Sequence, residues 1–173
     1  LVLPKTLVVN YYCRNLDEAE RVTEVIYLTK RKVTERIKQG VFCDCLEDMG
    51  DPQILNQDET TTINGAFQRA GDQDDATPYT ILEQHTYLDL DDDGYAEPYI
   101  VTIDYHSRKV LRIVARFTQD GVVLNDKSDI TLINAVQYYT KYDFIPNPDG
   151  GFYSIGFGRL LGPINESANT IIN

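Results

Sequence analysis

The stretch 79-YTILEQHTYLDLDDDGYAEPYIVTIDY-105 decides the fold. Two runs rich in β-branched and aromatic residues flank a block of carboxylates that ends in Gly94. Runs of this composition on either side of an Asp-Gly turn predict a β-hairpin, because Asp and Gly tolerate the left-handed backbone that tight turns need. The same block, Asp89-Leu90-Asp91-Asp92-Asp93-Gly94, has the D-x-D-x-D-G spacing that opens an EF-hand calcium loop. In that reading Asp89, Asp91 and Asp93 hold positions 1, 3 and 5, Tyr95 offers its carbonyl and Glu97 sits at position 9. Position 12, which wants a bidentate glutamate, is Ile100, and the flanks read as strands where an EF-hand has helices. Two expectations follow: an acidic hairpin turn, or a cation site of weak affinity, with a dissociation constant of about 10⁻⁴ to 10⁻³ M.

Downstream, Ser107 to Val110 make a turn into "VLRIVARF", where Leu111, Ile113, Ala115 and Phe117 alternate with Arg112, Val114 and Arg116. A turn at Gly121 precedes a further run, "ITLINAVQYYTKY". Upstream, Leu7–Cys13 and Arg21–Leu28 read as strands, and Asn15 is placed to cap a short acidic helical turn. Thr29 is placed to cap a helix in which Val33 and Ile37 share a face and which Gly40 ends. Its five cations, Lys30, Arg31, Lys32, Arg36 and Lys38, read as a solvated face. Residues 46–77, rich in acids, amides, Gly and Thr, read as a long loop or mobile insertion. Strand, turn, strand in succession makes an antiparallel meander with one buried face. The predicted class is α+β in a single domain, 1–173: a meander or sandwich-like sheet, a few short helices and a C-terminal helix.

That last helix is expected to begin at Gly162-Pro163, with proline in the first turn where its missing N–H costs nothing. Ile164, Ala168, Ile171 and Ile172 then form an apolar stripe, and Asn165, Asn169 and Asn173 an amide stripe beside it. Such a helix suits packing against copies of itself. The ends of the chain read as cut, the start lacking Met and the finish falling within a helical pattern.

Composition narrows the function. With 16 basic and 27 acidic residues the formal charge is −11, which argues against a dedicated nucleic-acid-binding face. An apolar run of roughly 20 residues, the length that spans a membrane, is not present. Cys13, Cys43 and Cys45 form an odd set: 43 and 45 are too close for an ordinary disulfide and lack the second pair of a zinc site, so reduced thiols in a cytosolic compartment are expected. His85 and His106, 21 residues apart, have neither metal spacing nor a nucleophile beside them and are expected to be core or surface histidines. The glycines at 156, 158 and 162 match no phosphate-loop pattern, and the Asn165-Glu166-Ser167 sequon is a chance match. No catalytic constellation emerges, and paired carboxylates such as Asp89 and Asp93 lack the companions a hydrolase needs. The expectation is a protein that is not an enzyme.

Three segments together resemble a known family: "NLDEAERVTEVIYLTKRKVTERIKQG", "EQHTYLDLDDDGYAEPYIVTIDYHSRKVLRIVARF" and "KYDFIPNPDGGFYSIGFGRLLGPINESANTIIN". They are similar to the portal proteins of tailed bacteriophages and prophages, which carry "LDLDGDGYAEPY" and "GFGxLLGPINExxNTLIN" phrases. Where the family has DGDG, this chain has Asp91-Asp92-Asp93-Gly94, which keeps the turn and adds a charge. The resemblance implies a structural role. Portal proteins form a ring, typically of twelve subunits, at one capsid vertex, through which a terminase drives DNA inward and from which DNA later leaves. It further implies contacts with capsid or scaffold protein, terminase and a head–tail adaptor, no sequence-specific DNA contact, no membrane, and assembly in the bacterial cytoplasm. The β-rich part would be the wing, and the helix from about Pro163 the start of a stem, with Ile164, Asn165, Ala168, Asn169, Ile171 and Ile172 packing between subunits. No cofactor is implied beyond a weak calcium ion at Asp89, Asp91 and Asp93. The alternative is a calcium-dependent β-type binding module that uses the 89–97 loop.

Overall fold

The computed structural model describes residues 1–52, 76–126 and 130–172. The chain divides into two compact units, one formed by Leu1–Val8 with Arg21–Val136 and the other by Val9–Glu20 with Gln137–Asn173.

The first unit is built on a five-stranded sheet in the order β1-β2-β3-β4-β5, where β1 is Leu7–Val9, β2 Val22–Leu28, β3 Tyr79–Leu88, β4 Glu97–Asp104 and β5 Val110–Ala115. β2 to β5 are antiparallel neighbours; short turns join β3 to β4 and β4 to β5, whereas residues 29–78 connect β2 to β3. The expected first strand stops at Val9, and Tyr11 and Tyr12 turn outward into solvent. Between β2 and β3 lies helix α1, Lys30–Lys38. Thr29 holds the N-cap position in extended conformation and its carbonyl accepts the Val33 N–H at 3.0 Å, but its hydroxyl makes no capping bond. Four of the five cations on α1 are exposed, and the fifth, Arg36, lies over the Phe42 ring at 5.2 Å.

The core forms where α1 meets the sheet. Val33 has no exposed surface and clusters with Leu28, Tyr79, Ile81, Leu111, Phe42 and Met49, with Ile26 and Ile37 packed alongside. Register explains the set, because Leu28 stands opposite Tyr79 and Ile26 opposite Ile81, on one face of the pleat. Met49 belongs to a 3₁₀ turn, Leu46–Met49, so the segment expected to be a loop begins by contributing to the core. The rest of that expectation, 53–75, lies outside the described residues.

Strand β5 departs from its sequence pattern. Thr102 pairs with Arg112 but Ile103 pairs with Val110, so Leu111 is an extra residue in a β-bulge. Alternation would put Leu111 and Ile113 on the same face. Instead Leu111 is 2% exposed and Ile113 is 47% exposed, and Arg116, read as outward, is buried. A second, two-stranded sheet pairs β6, Val122–Leu124, with β7, Ile130–Ile133. The expected long run from Ile130 is therefore a strand only as far as Ile133.

In the second unit, a 3₁₀ turn at Leu16–Glu18 follows Asn15, which makes no side-chain cap bond. The Lys141 ammonium pairs with Asp143 at 2.9 Å and lies over the Phe152 ring at 4.9 Å. Helix α2 runs from Phe157 to Ile172, starting five residues before Gly162 of the expected Gly162-Pro163 start. Pro163 is thus interior, where it deprives the Arg159 carbonyl of its usual donor. Phe157 anchors the first turn, its ring 4.4 Å from that of Phe144.

The bulge makes a direct prediction. Leu111→Ala should destabilise the first unit by about 2–5 kcal/mol, whereas Ile113→Ala should cost at most about 1 kcal/mol. Urea melts of the two variants check this, and equal losses would mean that the two side chains share one environment.

Candidate functional site

The β3–β4 loop is the densest collection of ligand-type groups among the described residues. Asp89, Asp91 and Asp93 each present a carboxylate oxygen, all within 4.8 Å of one another, and all three residues are exposed. Local backbone demands produce this arrangement. Asp92 and Gly94 take left-handed conformations, φ +58° and +90°, and the chain reverses around them. The carboxylate of Asp89 accepts the Asp93 N–H at 3.2 Å and the Gly94 N–H at 2.9 Å. Asp93 accepts the Tyr95 N–H at 2.7 Å. Carboxylates that bond their own loop in this way are the reason Asp favours turns.

The remaining EF-hand positions fall elsewhere. Glu97 opens β4, and Ile100, where position 12 would lie, is buried in that strand opposite His85 and Val114. The sheet register thus fixes an apolar side chain where a bidentate ligand would be needed. What the loop can offer a cation is three monodentate carboxylates on an open surface. Tyr95 has a role that spacing did not reveal: its hydroxyl accepts the Ile133 N–H at 3.0 Å, which ties the acidic loop to β7.

The two histidines are separated in the fold. His85 is buried on β3 with Nε2 3.8 Å from the Glu83 carboxylate. His106 lies in the turn after β4, its ring edge-on to that of Tyr105 at 5.1 Å. Glu83 lies opposite Thr102, and Thr102 opposite Arg112, so a polar row crosses three strands. Contact with the His85 imidazole holds the Glu83 carboxyl below its ordinary 4.5; burial opposes this, and the Arg112 and Arg36 guanidiniums add to the lowering.

Helix α2 carries the other predicted site residues. Ile164, Asn165, Ala168, Asn169, Ile171 and Ile172 all lie on it and all are exposed, with Ile171 at 84%. None of its 16 residues is buried. Because the helix starts early, Phe157, Leu160 and Leu161 extend the apolar stripe to an arc of about 120°, and Asn165 and Asn169 flank one edge. These three were missed because Pro163 was taken as the start. The phase of the stripe, read backward through the proline, would have found them.

A carboxylate whose pKa is lowered by folding contributes stability that is complete above its unfolded pKa and is lost as pH falls through the folded value. Glu83→Gln should therefore lower the melting temperature at pH 7, and its deficit relative to the parent should shrink below about pH 4.5. Thermal melts from pH 7 to pH 3 check this; a deficit that stays constant would show that Glu83 contributes only packing. Comparison with protein-family models and with curated proteins finds no match to the chain.

Proposed function

We propose that this chain is part of a portal protein of a tailed bacteriophage or prophage, the ring at a capsid vertex through which DNA is packaged and ejected. The observation that carries the reading is α2. Its sixteen residues present a continuous apolar stripe, and none of them is buried. Gly158, Gly162 and Pro163 make the sequence a poor helix former on intrinsic propensity. A helix of this kind is stabilised mainly by packing its apolar face, and a neighbouring subunit in a ring is a natural source of that packing. The phrase "GFGRLLGPINESANTIIN", in which the portal resemblance is most specific, coincides with this helix. A formal charge of −11 suits a wall past which DNA slides without sticking. In this reading the β-sheet unit is the wing and α2 leads into the stem.

Negative-stain microscopy of the full-length product of this reading frame tests the proposal: rings of about twelve subunits are expected. Ile164→Glu with Ile171→Glu should abolish the rings while leaving the melting of the β-sheet unit unchanged. A parent that stays monomeric at high concentration overturns the reading.

The convergence of Asp89, Asp91 and Asp93 favours a second reading, a calcium-dependent binding module. Calcium at 100 times its dissociation constant would add about 2.7 kcal/mol of stability, visible as a rise in melting temperature. Asp91→Ala is the cleaner probe, since Asp89 also holds the turn together. No shift at about 10 mM calcium, above the weak range expected for such a loop, or an equal shift in Asp91→Ala, eliminates that reading.

A further inference from the structure

Residues 43–45 form a feature that neither reading uses. The Cys45 N–H donates to the Cys43 carbonyl at 3.1 Å, an i to i+2 bond that closes a γ-turn around Asp44. The turn folds the two side chains together, and the Cys43 and Cys45 sulfurs are 3.0 Å apart. The segment is held at both ends, since Phe42 and Met49 are buried in the core. It is also tied to β5, where the Cys43 N–H donates to the Leu111 carbonyl at 2.9 Å and the Cys43 thiol to the Val110 carbonyl at 3.3 Å. The sulfurs are thus kept together by structure on both sides, not by the chance of a floppy tail.

The two thiols differ in access. Cys43 is exposed and lines an open groove of about 540 Å³ together with Gly40, Val41, Phe42, Arg112 and Ile113. Cys45 is half-buried against the core. Burial, then its hydrogen bond with Cys43 and the charges of Cys43 and Asp48, push the Cys45 thiol up to about 12, with Lys109 opposing. Cys45 therefore stays protonated at neutral pH, and Cys43 is the sulfur that a reagent in the groove meets first. Two ligands do not complete a zinc site, and a bound zinc would have to spread the sulfurs apart, whereas a disulfide draws them about 1 Å closer.

We propose that Cys43 and Cys45 form a thiol–disulfide exchange site for a low-molecular-weight disulfide, with Cys43 as the entry thiol and Cys45 as the resolving thiol. The Cys43 thiolate attacks one sulfur of R–S–S–R, forming a mixed disulfide and releasing one R–S⁻. Cys45 then gives its proton to solvent and attacks the Cys43 sulfur, closing the protein disulfide and releasing the second R–S⁻. Both released thiolates take up protons. The net change oxidises two protein thiols to one disulfide and reduces R–S–S–R to two R–SH. The product ring spans only three residues and sits at the surface, which places it among labile, reversible disulfides and not among structural ones.

The test is incubation of the whole chain with oxidised glutathione at pH 8, followed by intact mass measurement and peptide mapping. The parent should lose two hydrogens without retaining an adduct, with the bond mapped to 43–45. Cys45→Ser should instead accumulate one glutathione adduct on Cys43, and Cys43→Ser should remain unmodified over the same time. Far-UV circular dichroism of each variant, matching that of the parent, shows that folding is retained. Cys13, buried with its thiol donating to the Asn15 carbonyl at 2.9 Å, should stay reduced throughout. A parent that stays reduced, that keeps a stable adduct, or that bridges through Cys13 overturns the proposal.

Discussion

Val33, enclosed by Leu28, Ile81 and Leu111, is the contact on which the first unit depends. It fixes the face of α1 that meets the sheet, and the sheet in turn fixes the register of β3 against β2 and β4. Shifting β3 by one residue would take Tyr79 and Ile81 off that face and put Thr80 and Leu82 there. The polar row Glu83, Thr102 and Arg112 would be broken by the same slip, and the acidic loop would close at a different point. Loop geometry is therefore a consequence of core packing several residues away. The carboxylates of Asp89 and Asp93 complete the turn, but the strands decide where it falls.

Much of this was legible in the sequence. The meander from Tyr79 to Ala115 follows from alternating β-branched residues and the Asp-Asp-Gly turn, and α1 from Val33, Ile37 and Gly40. Ile100, the twelfth loop position, falls in the core of β4, in line with the strand-like flanks read from the sequence. The bulge was not legible. Whether Leu111 or Ile113 enters the core depends on which residue the α1 face can accommodate, and a one-residue insertion leaves the composition of β5 unchanged. The start of α2 was misplaced for a different reason: Gly158, Gly162 and Pro163 all favour a break, and local preference gave no hint that the helix runs through them. Sequence spacing placed Cys43 and Cys45 close together, but the convergence of their sulfurs rests on a γ-turn held by Phe42 and Met49.

The second unit has another economy. Its local order comes from polar and aromatic contacts, such as Lys141 with Asp143 and Phe152, and from the turn in which the Gly150 N–H donates to the Asn147 carbonyl at 3.0 Å. Contacts of this type hold a segment in shape without enclosing much apolar surface. The apolar side chains of α2 are thereby left exposed along the length of the helix.

The bulge in β5 has a consequence for solubility. β5 is an edge strand, and a regular edge offers a row of amides and carbonyls to any other strand that meets it. Here Leu111 disrupts that row, and the Cys43 N–H already occupies the Leu111 carbonyl. A second sheet cannot add along β5 in continuous register without first displacing the 42–45 segment from its core anchor. The residue that completes the core from this strand therefore also guards the edge against edge-to-edge growth of sheets.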